Sequence, residues 1–146
     1  TLFRSAGNSG VLLSQVIYHK TGEDRDFLIV DAAMNDLIRP TLYEAHHEIR
    51  PIAEPKANDT WMVADIVGPV CESGDFLAQG RNLPEPKEYD LFAVMSAGAY
   101  GAVQAGTYNS RLLVPEVLVK GDRYSVIRPR TTYEDLIGLD KIPDWL

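Results

Sequence analysis

Cysteine occurs once in the 146 residues, at Cys71. A lone thiol forms no internal disulfide, which suits a reducing cytoplasm. Histidine occurs three times, at His19, His46 and His47. Adjacent histidines on a strand point to opposite faces, and no further Cys or His stands at ligand spacing, so a metal site is not expected; His19 reads as structural. No apolar run approaches the roughly 18 to 20 residues needed to span a bilayer. The first residues lack the basic-then-apolar pattern of a secretory signal, so no membrane partner is expected. The 14 Lys and Arg residues are outnumbered by 21 Asp and Glu, for a formal charge of −7. They are scattered rather than gathered into a patch, which argues against a nucleic-acid partner. Internal repeats and low-complexity stretches are absent as well. What remains is one domain's worth of chain, residues 1–146, with enough apolar content to bury a core.

Short apolar runs separated by turn signals predict a mainly β barrel or sandwich with a few short helices. Gly7-Asn8-Ser9-Gly10 reads as a turn before a strand from Val11 to Lys20, and Thr21 to Asp26 returns the chain into a strand from Phe27 to Asp31. Pro40 suits the first turn of a short helix through Tyr43, within a mixed segment from Met34 to Ala45. Residues 51–59 read as loop, and Trp61 starts the next strand. Phe76 to Arg81 reads as strand or extended loop, Leu83 to Glu88 as an acidic, proline-containing turn, and Leu91 to Met95 as a short buried strand. Glu116 to Lys120 and Tyr124 to Arg128 predict a hairpin turning at Gly121-Asp122. Thr132 to Leu136 opens a capped helix, and the tail through Trp145 reads as packing or interface.

The chain is organised around Val63 to Asp75. An apolar, largely β-branched run stops at Gly68-Pro69, and Cys71 follows beside Glu72 and a Ser73-Gly74-Asp75 turn. Cysteine packs as a small hydrophobe more often than it reacts. Here, however, it lies beyond the break that ends the strand, where loops present reactive groups. A neighbouring carboxylate disfavours a thiolate, so Cys71 is better suited to donating a proton than to standing as a nucleophile.

Two further clusters leave their chemistry open. Arg39 at the entrance of the short helix and Tyr43 one turn on share a side, and composition alone fits a surface cation and a half-buried ring as well as a binding pair. Ser96 to Gly101 supplies small residues and backbone amides just before a segment of helical propensity, Ala102 to Ala105. That arrangement fits an anion cradle, and close packing permitted by small side chains fits it equally.

Cys71-Glu72-Ser73-Gly74-Asp75 after Val67-Gly68-Pro69 closely resembles the signature of the diaminopimelate decarboxylases, fold-type III pyridoxal-phosphate enzymes that make lysine. Ile29-Val30-Asp31-Ala32-Ala33-Met34-Asn35-Asp36-Leu37-Ile38-Arg39-Pro40 resembles their substrate-contacting segment. Asp90 to Gly101 resembles their Gly-Ala-Tyr-Gly segment, and Tyr108-Asn109-Ser110-Arg111 the pattern after it. The resemblance runs in family order from Gly7 to about Gly138. Counting back from Gly7, an arginine of the family's Glu-Pro-Gly-Arg motif would fall on Phe3; Arg4 is one place off and is left out of the site.

The resemblance implies the Greek-key β-barrel domain that lies behind the barrel of alanine-racemase-like enzymes, so this chain resembles a C-terminal half. It implies pyridoxal 5'-phosphate as cofactor, held mainly by the N-terminal barrel through a lysine. The five lysines here, Lys20, Lys56, Lys87, Lys120 and Lys141, lie in strand ends, loops or the tail, and none resembles that lysine. Cys71 is then the catalytic proton donor, Glu72 recognises the distal ammonium of meso-diaminopimelate, Arg39 and Tyr43 hold its distal carboxylate, and Tyr100 contacts the cofactor near its phosphate. Partners are the N-terminal barrel and a second copy, since in the family the Cys-Glu loop reaches the partner subunit's site. Two alternatives accompany this reading. One is an ornithine- or arginine-type decarboxylase of the same fold, whose relatives tend to have Cys-Asp at the loop; the other is an assembly module inert by itself.

Overall fold

The computed structural model describes residues 6–146. Phe3 and Arg4, where the family's arginine would be sought, lie outside the described residues. The chain forms two compact units that meet in sequence between Ala105 and Gly106.

The first unit is built on six strands: β1 (Leu12–Thr21), β2 (Asp26–Val30), β3 (Ile49–Pro51), β4 (Trp61–Val67), β5 (Phe76–Pro84) and β6 (Leu91–Val94). They form one sheet in the order β3-β6-β1-β2-β4-β5. The edges β3 and β5 approach each other, and Arg81 of β5 donates to the carbonyl of His47, just ahead of β3, at 3.3 Å. The sheet is therefore nearly closed, and the mainly β, barrel-like expectation holds. β6 returns to pair with β1 rather than with β5, its neighbour in sequence.

Period-two burial explains why these segments are strands. Leu28 and Val30 of β2 are buried while the residues between and beside them are only half-buried, and they meet Val16, Ile66, Leu77, Leu83, Phe92 and Val94 in the core. At about 25 cal/mol per Å² of apolar surface, this burial is the main force holding the unit together. β2 and β4 pair in parallel, Leu28 against Ile66, so the chain must cross over between them. The crossover, residues 31–60, carries the short helix α1 (Arg39–Tyr43), with Pro40 in its first turn as expected.

Three local expectations need correction. Leu83 and Pro84 close strand β5 instead of opening a turn, because their partners Met62 and Trp61 extend the ladder. Ile49–Pro51 is a strand, too short to show periodicity, held by pairing with β6. Ala102–Gln104 is a single 3-10 turn, so the helix dipole that an anion cradle would use is missing.

The second unit contains the hairpin β7 (Glu116–Lys120) and β8 (Arg123–Arg128). Gly121 at its turn has φ +62°, a conformation that glycine adopts without strain. Glu116 and Arg128 pair across the hairpin's open end at 2.8 Å. The helix α2 (Tyr133–Ile137) begins with a reciprocal capping box between Thr132 and Asp135, as its sequence predicts. Those hydrogen bonds from Thr132 hold the Asp135 carboxyl below the usual range.

Candidate functional site

The crossover segment is fixed before it reaches Arg39. Asp31 accepts hydrogen bonds from the Ser14 hydroxyl at 2.8 Å and the Gln15 amide at 2.7 Å, and Ser14 Oγ in turn accepts from the Ala32 amide. Asp36, buried, accepts from the Ala33 amide at 2.9 Å. Buried polar groups need such partners, and here they set where α1 begins.

Arg39 and Tyr43 then stand on one side of α1, as their spacing predicts. The guanidinium carbon lies 5.8 Å from the centre of the Tyr43 ring and 5.9 Å from that of Tyr100, both within cation–π range. Arg39, Tyr43, Tyr100 and Gln104 line a cleft of about 330 Å³. Tyr100 reaches it from a strained loop: Ser96 and Tyr100 have φ of 59° and 57°, unusual for residues with a Cβ. The loop is pinned to the turn ahead of β1. The amides of Ala97 and Gly98 donate to the carbonyls of Gly10 and Gly7 at 2.9 and 3.0 Å, and the Ser96 hydroxyl donates to Asn8 at 2.8 Å. A Cβ on Gly98 would meet Gly10 N and Ser9 Oγ, both at 2.6 Å, so close packing is one reason for the small residues here.

Gln104 was not among the sequence candidates. Its amide approaches the Tyr43 hydroxyl at 3.5 Å, and its only sequence signal is its place one turn beyond Tyr100. The cleft's lining offers a guanidinium, two phenols and an amide, with no acidic side chain among them. That donor set fits an anionic group, either a carboxylate or a phosphate.

His47, between α1 and β3 in sequence, is not part of that lining. It is 2% exposed, with Nδ1 2.9 Å from the Met95 carbonyl. Burial pushes its pKa below the ordinary 6.5, and Arg39, His46 and Arg81 add to that against the Met95 hydrogen bond. His46 stands 3.3 Å from Arg81, and no metal-holding group of His, Cys, Asp or Glu exists among the described residues.

Cys71 and Glu72 occupy a separate loop. Cys71 is exposed, so it is not the buried hydrophobe that cysteine more often is. Neither residue lines the Arg39 cleft; Glu72 borders a second hollow of about 340 Å³ with Arg25, Asp65, Ser73 and Asp75 among its walls. Of the sequence candidates, one chain thus brings Arg39, Tyr43 and Tyr100 together and holds Cys71 and Glu72 elsewhere.

Residues 6–98 match the family described as pyridoxal-dependent decarboxylase, C-terminal sheet domain. The chain belongs to that family. This decarboxylase domain is 53% identical over 139 residues to a diaminopimelate decarboxylase of Zymomonas mobilis, covering 95% of this chain and 32% of the relative. Its fold matches the crystal structure of diaminopimelate decarboxylase from Helicobacter pylori complexed with L-lysine, with a TM-score of 0.86, 42% identity and coverage of 94% of this chain and 33% of that one. The enzyme from M. jannaschii in co-complex with L-lysine gives a TM-score of 0.90 at 36% identity, covering 96% and 32%. The decarboxylase domain spans about a third of the length of these relatives.

Proposed function

We propose that the chain is the substrate-recognition and dimerisation domain of an enzyme that converts meso-2,6-diaminopimelate to L-lysine and carbon dioxide. The observation that carries this reading is Arg39 held between the Tyr43 and Tyr100 rings in an anion-suited cleft. A planar guanidinium in a fixed place reads a carboxylate's two oxygens, and diaminopimelate has a distal carboxylate where ornithine and arginine have only a cation. Arg39 and Tyr43 hold that carboxylate, and Glu72 takes the distal ammonium. Tyr100 would hold the phosphate side of pyridoxal 5'-phosphate, which, when bound, would supply the electron sink that decarboxylation requires. The Cys71 thiol gives its proton to the carbon that lost the carboxylate, and solvent restores it.

Because Cys71 and Glu72 lie outside the Arg39 cleft, each working site draws on two chains: Arg39, Tyr43 and Tyr100 from one subunit, Cys71 and Glu72 from the other. None of the five lysines lines the cleft, which supports the reading that these 146 residues by themselves are inert and depend on a barrel domain for the cofactor lysine. The setting is cytoplasmic, where a single exposed thiol stays reduced.

The test is decarboxylation by the complete enzyme with meso-diaminopimelate, ornithine and arginine in parallel. Turnover of diaminopimelate alone is expected. Arg39→Ala should raise KM roughly 10- to 100-fold, the loss of a charge-assisted pair, and Cys71→Ala should lower kcat. Preference for ornithine or arginine, or undiminished turnover by Cys71→Ala, would refute the respective assignment.

A further inference from the structure

The Cys71 loop is closed on itself and fastened to the crossover at two points. Its neck is shut by the Gly68 amide donating to the Asp75 carbonyl at 3.0 Å. Within it, Glu72 N–H donates to the Val70 carbonyl at 2.8 Å and Asp75 N–H to the Glu72 carbonyl at 3.0 Å. The Asp75 side chain is 4% exposed and plays no part in the chemistry above. One of its oxygens accepts from the Val70 amide inside the loop at 2.6 Å, and the other accepts from the Met34 amide in the crossover, also at 2.6 Å. The second fastening comes from α1, where the Thr41 hydroxyl donates to the Gly74 carbonyl. A Cβ at Gly74 would lie 2.8 Å from the Thr41 methyl, so a glycine lets the two segments approach this closely.

We propose that Thr41 and Asp75 are positioning residues that set the location of Cys71 and Glu72. Fastenings to the crossover at Gly74 and Asp75, with the Asp75 carboxylate also closing back on the Val70 amide, leave the turn little freedom, and an exposed side chain delivering a proton needs that restriction because small misplacements are costly to rate. Thr41 lies between Arg39 and Tyr43 in sequence, with its hydroxyl committed to the loop while its neighbours face the cleft. The same short helix therefore places both halves of the recognition apparatus. This inference rests on Cys71 being the proton donor.

The experiment is kinetics on the complete enzyme with Thr41→Val, Thr41→Ser, Cys71→Ala and the double variant Thr41→Val/Cys71→Ala, in water and in deuterium oxide. Thr41→Val keeps the side chain's shape and removes the donor. Its kcat should fall roughly three- to tenfold, the scale of one hydrogen bond, with KM for diaminopimelate moved less and the solvent isotope effect on kcat enlarged. Thr41→Ser should restore wild-type values. In the Cys71→Ala background Thr41→Val should cost nothing more, because groups acting through one another are not additive. An unchanged isotope effect, or a loss that simply multiplies onto Cys71→Ala, would overturn the positioning role and leave Cys71 in place as donor. Full kcat in Cys71→Ala alone would instead remove the donor and the positioning role with it. Asp75→Asn, which turns an amide donor toward Val70 or Met34, serves as a second variant with the same readouts.

Discussion

His47 lines no part of the Arg39 cleft, yet it ties the segment ahead of β3 to the Met95 carbonyl, 2.9 Å from its Nδ1. Burial disfavours the charged form of its ring, and Arg39, His46 and Arg81 act in the same direction against the Met95 hydrogen bond. A histidine whose folded pKa is depressed gives its full stabilisation above the unfolded value near 6.5, and that contribution is lost as pH falls through the folded value. The thermal midpoint of the protein should therefore fall between pH 7 and pH 5. His47→Asn keeps a donor near the Met95 carbonyl but does not titrate, so its midpoint should be lower at pH 7 and flatter with pH. An equally steep fall in the variant would place the sensitivity on other groups. A single sequence could not reveal this residue's burial: His46 and His47 differ only in which way the chain carries them into β3.

At the scale of elements, the crossover and the Cys71 loop depend on glycine where chain segments approach. A Cβ at Gly68 would lie 2.6 Å from Asp75 Oδ1 and 2.8 Å from the Ala32 carbonyl. Gly68→Ala should cost about 1 to 3 kcal/mol, the range for overpacking, read as a lowered denaturation midpoint; a change below about 0.5 kcal/mol would show that the Asp75 carboxylate can shift. The elements themselves were largely legible. The β-branched runs, the Gly68-Pro69 stop, Pro40 opening α1 and the Thr132 cap are local signals, and each formed what it predicts. β3 and the end of β5 were not legible, because pairing partners distant in sequence decided them; Ala102–Gln104 has helical propensity but stops after a single turn closed by its own local hydrogen bonds. Of the site, Arg39 with Tyr43 followed from helical spacing, whereas Tyr100 joining them and Gln104 lining the same cleft depend on how Gly98 seats against Gly10.

At the scale of the whole molecule, the separation between the Arg39 cleft and the Cys71 loop makes a quantitative prediction. In a two-fold dimer with shared sites, combining Arg39→Ala with Cys71→Ala subunits leaves one site carrying both defects and one carrying neither. Random pairing should restore about a quarter of wild-type activity from two inactive preparations. Activity that stays at the level of the parents after confirmed subunit exchange would mean that each chain completes its own site. A second consequence concerns the one parallel pairing among the described strands, β2 with β4. The β1–β2 and β4–β5 hairpins join neighbours in sequence, whereas the parallel seam closes a long loop and is entropically slow to form. The hairpins are therefore expected to form before the seam, and until the seam closes the stretch bearing Arg39 has no fixed course. The cleft is therefore a product of the finished fold, and a chain caught before that step does not display it.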